Sequence, residues 1–155
     1  MGMKLYKALK LKKSLVGEIA KLKQQIAGKN SYMVGSKNAE STDVLGLFED
    51  LQAKIDKLVG LKFTINEANK EIQSKIYVIG EYKALIAFLN GLDVTEGSKA
   101  FGYSDTVVRE YKVHMDETKR DDLVHDFQKR IDAIQEEIDV YNYTTDIPWD
   151  EAVVE

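Results

Sequence analysis

Long runs of apolar side chains spaced alternately three and four residues apart leave this chain little to fold into except extended amphipathic helices. The first run holds Leu5, Ala8, Leu15, Ile19, Leu22 and Ile26, with Lys12 its one polar interruption, and predicts a helix from Met3 to about Ala27. Gly28 and Asn30 stop it, and residues 28–41 lack periodicity, as an exposed loop would. Ser41, Thr42 and Asp43 offer N-caps to a second helix. Its seam is Val44, Phe48, Leu51, Ile55, Leu58 and Ile65, ending at Asn69. The last run, Leu123, Phe127, Ile131, Ile134, Ile138 and Tyr141, predicts a helix over 118–143, and the only proline, Pro148, with Trp149 closes the ordered part. Two such helices joined by a loop make an antiparallel hairpin suited to a coiled coil.

Between these runs, Ile76 to Leu92 is apolar round most of its circumference and too long for a strand. It predicts a third helix, buried on several sides or at an oligomer contact, after a polar connector at Lys70 to Lys75. Residues 93–104 are expected as loop, while Thr106 to Met115 alternates as a strand does. A strand needs a partner for its ladder, and Asn69 to Ser74 is the nearest candidate. The expected fold class is therefore mainly α: a long antiparallel helical hairpin or coiled-coil bundle of four helices with a small β-hairpin. One domain over residues 1–155 fits the length, with 148–155 as a disordered tail.

Charge is unevenly placed. Residues 1–30 carry eight lysines against one acid, residues 115–155 carry thirteen acids against four bases, and the net charge is −4. A basic first helix could contact nucleic acid, but the acidic tail opposes it, so complementary helices side by side, within or between chains, are the better reading. No apolar run approaches the roughly 20 residues that span a bilayer, no secretory leader opens the chain, and there is no cysteine. A cytoplasmic protein with no membrane partner is expected.

Walker, dinucleotide-turn, HExxH and nucleophile-elbow patterns are all missing, so the expectation is no enzyme, no cofactor and no metal. His114 and His125 near Asp116, Asp121 and Asp122 lack tight ligand spacing and fit a solvated acidic face. Polar residues at element ends are more informative: Asn66 and Asn69, then Tyr103, Arg109 and Lys112, then Asn142, Thr144 and Thr145. They would cap helix ends, or they would form a pocket for an anion or nucleobase, with Arg109 as the charged contact. Arg109 is expected to share a sheltered strand face with Val107, Tyr111 and Val113.

Four short motifs in order, MKLYKAL (3–9), INEAN (65–69), YSDTVVR (103–109) and NYTTDI (142–147), make the chain resemble the septicolysin-like family of small bacterial and phage proteins. Tyr143 stands where that family's usual tryptophan is expected. The resemblance implies a mostly helical homo-oligomer with no well-established activity, and makes Met1 and Gly2 an expression remnant. A cytolysin role finds little support in the residues. The expected function is a non-catalytic homo-oligomer that binds or sequesters a small anionic, nucleotide-like ligand, by analogy with phage proteins that sequester nucleotide immune signals. The alternative is a structural or adaptor coiled coil for partner helices.

Overall fold

A computed structural model describes residues 2–101 and 107–151. The protein is mainly helical: β1 (Met3–Lys4), α1 (Leu5–Lys29), α2 (Val44–Asn69), α3 (Gln73–Asn90), β2 (Gly97–Phe101), β3 (Val107–Tyr111), α4 (Glu117–Thr144) and β4 (Asp146–Ile147). These elements form two compact units, Met1–Glu71 with Val140–Glu155, and Ile72–Asp139. Among the described residues, no helix is long and apolar enough to cross a membrane.

The first unit is built on the expected α1–α2 hairpin. An Asp43 carboxylate oxygen accepts a 2.9 Å hydrogen bond from the Gly46 N–H and so caps α2, as its position before the apolar run predicts. Ahead of it the connecting loop turns through the left-handed region at Gly35 and Asn38, the two residue types that enter it at least cost. Lys4 gives α1 no side-chain cap. Instead the Leu5 N–H donates to the Thr145 carbonyl at 2.9 Å, and β1 pairs antiparallel with β4, Met3 opposite Ile147. The core gathers there: Leu5, Ala8, Leu15, Leu61, Ile65 and Ile147 are buried together. Ile19 and Leu51 extend it towards the loop, and a Glu18–Lys54 ion pair of 3.1 Å joins the helices on the outside. The basic first helix thus packs on α2, and its start meets the acidic end of the chain where Lys4 pairs with Asp146 at 3.0 Å and the Tyr6 ring lies 4.5 Å from that of Tyr143.

The single seam read along α2 divides in the structure. Leu51, Leu61 and Ile65 are buried, whereas Phe48 and Ile55, read as the same seam, are exposed. Residues on a strict three-four alternation drift round a helix of 3.6 residues per turn, so one pattern spreads over two faces.

In the second unit α3 and α4 run antiparallel, since Lys75 meets Glu137 at 2.8 Å and the Tyr82 ring packs edge-on to Phe127 at 5.1 Å. Ile72, Ile79, Leu89, Ile131 and Ile138 are its buried residues. Asp116 caps α4 by accepting from the Lys119 N–H at 2.8 Å, the local role that a lone acid before a helix most often has. One expectation is corrected here. The partner of the strand is not Asn69 to Ser74, which closes α2 and opens α3; it is β2, inside the segment read as loop. α3, expected to be buried on several sides or at an oligomer contact, buries Ile79 and Leu89 within the chain and leaves Tyr77 and Phe88 exposed, as the second alternative requires.

Candidate ligand-binding site

The β2–β3 ladder brings together what the sequence scatters. Its register sets Lys99 directly opposite Arg109 and Gly97 opposite Tyr111. Like charges opposite one another in a sheet repel, at a cost of up to about 1 kcal/mol. Gly97 lies at φ 105, a conformation glycine favours, and nothing lies within 4 Å of where its side chain would be. The Lys99 ammonium sits 4.9 Å from the Tyr111 ring centroid. Asp93 holds Lys99 loosely, at 3.8 Å. The Asp93 carboxyl stands below the usual carboxylate range, first through the Thr95 N–H, then the Thr95 side chain, then the Lys99 charge. Arg109 is exposed rather than sheltered, a correction that follows from a two-stranded sheet having no layer over this face. Lys112 follows β3 directly and is exposed. Tyr103 lies outside the described residues.

The amide and hydroxyl residues belong to the first unit. Thr144 donates its hydroxyl to the Val140 carbonyl at 2.8 Å, and the Thr145 N–H donates to the Tyr141 carbonyl, so both serve the end of α4. Asn66 is exposed and Asn69 is the half-buried last residue of α2. Asn142 differs: its Oδ1 is buried with no hydrogen-bond partner among the described residues, as is the Trp149 Nε1. Nearby a cleft of 280 Å³ is lined by Phe63, Glu67, Glu71, Tyr141, Thr145 and Asp146 among others. Of the sequence-predicted residues only Thr145 lines it, and its carboxylates repel an anion. The paired cations therefore lie on the β-hairpin, while Thr144 and Thr145 close the end of α4.

Tyr141 is the titratable group of this unit that its surroundings shift. Its hydroxyl donates to the Ala68 carbonyl at 2.7 Å and approaches Glu71 at 3.4 Å. Burial first, then the Glu71 charge, hold it above the usual tyrosine range, with the Thr145 side chain opposing. The bond to Ala68 needs the protonated phenol. Its stabilisation is thus complete below the ordinary tyrosine value of about 10 and is lost as pH rises through the higher folded-state value. Tyr141→Phe is expected to cost about 1 kcal/mol at neutral pH, and denaturant midpoints from pH 8 to 11 should fall less steeply for the variant than for the parent.

Lys99 escapes the sequence reading because only the register places it beside Arg109, whereas alternation already puts Tyr111 on the Arg109 face. Among the described residues no group of three or more His, Asp or Glu could hold a metal ion. No family model, curated protein or solved structure matches the chain.

Proposed function

We propose that the protein is a non-catalytic, self-associating cytoplasmic protein that binds or sequesters a small anionic, nucleotide-like ligand on the face of its β-hairpin. The observation that carries this reading is Lys99 opposite Arg109 with Tyr111 on the same face. Two cations side by side suit a phosphate, and an adjacent ring suits a base, which is the chemistry a nucleotide presents. Exposed Val59 and Phe63 on α2, with Tyr77 and Phe88 on α3, support self-association, since apolar surface of that kind on a monomer promotes aggregation.

A thermal-shift panel of linear and cyclic nucleotides tests it, and at least one is expected to raise the melting temperature. In the Lys99→Ala/Arg109→Ala variant the fold should be retained, because both side chains sit on a two-stranded surface, while affinity falls by about 1.5–3 kcal/mol for each charged bond lost. Isothermal titration measures this. No shift with any nucleotide, or an undiminished shift in the double variant, overturns the reading.

A further inference from the structure

Beyond its buried face, α2 carries a second apolar stripe: Leu45, Phe48, Ile55, Val59 and Phe63, in steps that keep to one side of a helix. Phe48 is 53% exposed, Val59 62% and Phe63 67%. On α1 a shallower stripe of Val16, Ala20 and Ala27, continuing from Leu9, lies just beside the buried seam. Both helices are right-handed and they run antiparallel, so the two stripes open on the same side of the hairpin. The result is an apolar face carried mainly by α2, with Val16 as its exposed α1 member.

We propose that this face pairs with the same face of a second copy, each α2 lying antiparallel against the partner's α1, to give a four-helix bundle. The inference rests on the self-association in the reading above and locates its surface. The charges bordering the face choose the occupant. Glu49 and Asp56 edge the α2 stripe, and Lys13 edges the α1 stripe. The Glu18–Lys54 pair fixes the levels along the hairpin, so that α2 residue n stands level with α1 residue 72 − n. With the two-fold axis along the helices, a partner's α1 laid on α2 brings its Lys13 near Asp56. With α1 laid on α1, lysine rims would meet instead. The area suffices: from Leu45 to Phe63 the stripe runs roughly 27 Å and two helices span about 20 Å, so the pair buries on the order of 1,000 Å², the lower bound for a specific interface.

Light scattering on the full chain at micromolar concentration should give a dimer or a multiple of it, and a monomer overturns the proposal. Val59→Glu should shift the protein to monomer with its circular dichroism unchanged; persistence of the parent oligomer overturns the proposal. The chain has no cysteine, so mixing Val16→Cys and Ile55→Cys proteins under mild oxidation reports the register directly. Disulfide-linked heterodimers support it, and crosslinks confined to Val16→Cys with itself overturn it. This reading stands even where Val59→Glu fails to fold. Nucleotide shifts on the Val59→Glu monomer separate the two proposals, because the hairpin strands lie in the other unit: a monomer that still binds leaves the ligand reading intact whatever the crosslinks report.

Discussion

Leu61→Ala is expected to destabilise the first unit by about 3 kcal/mol, within the range of about 2–5 kcal/mol for a leucine truncated in a well-packed core. Leu61 is 0% exposed, and its neighbours in the core come from α1, α2 and β4 together. They are fixed by three different elements, so the space left cannot collapse cheaply, and the cost includes both the lost transfer of the side chain from water and the cavity. Urea unfolding followed by circular dichroism measures it, with Lys62→Ala on the exposed side of the same turn changing stability by less than about 0.5 kcal/mol. Equal effects from the two substitutions would show that the buried seam of α2 has been misplaced.

Ile147→Ala should cost about 3 kcal/mol as well, although Ile147 sits in a strand of two residues near the end of the described chain. It is almost fully buried against the first helix, it is paired with Met3, and its carbonyl accepts from the Trp149 N–H at 2.9 Å. Hydrogen exchange distinguishes a general from a local effect. Loss of Ile147 should expose the Leu5 N–H, whose acceptor is the Thr145 carbonyl, before it loosens the middle of α1. A variant that melts with the parent would mean that the terminal ladder does not hold the hairpin.

The helices were legible because a helix buries one side every 3.6 residues, and Leu15, Ile19, Ile131 and Ile138 keep that rhythm and are buried as expected. What the rhythm cannot do is choose between two apolar faces of one helix, which is why Phe48 and Ile55 were read with Leu51. The β-hairpin was half legible. Val107 to Tyr111 alternates, but Gly97 to Phe101 is short, opens on glycine and carries no alternation of its own, so it looks like loop until a neighbour supplies the ladder. Register is a property of two strands at once, and neither Lys99 nor Arg109 announces the other. The Asn and Thr clusters followed the milder of their two readings in Thr144 and Thr145, whose bonds close a helix; a polar residue near a helix end more often satisfies the backbone than a ligand.

The bond from Lys4 to Thr144 joins residues 140 positions apart, and the whole of the second unit lies in the sequence between them. On a ribosome, which delivers the chain from its N-terminus, α1 and α2 emerge before α3 and α4 and can form their hairpin, yet the floor of their core, Ile147, arrives only after the whole of 72–139. The intervening 72–139 is continuous and can close without waiting. Loop-closure entropy grows only slowly with length, so once that segment is folded the remaining search is short. Until then the nascent hairpin stands open at its base with Leu5 and Leu61 uncovered, and translation speed through the last helix sets how long that lasts.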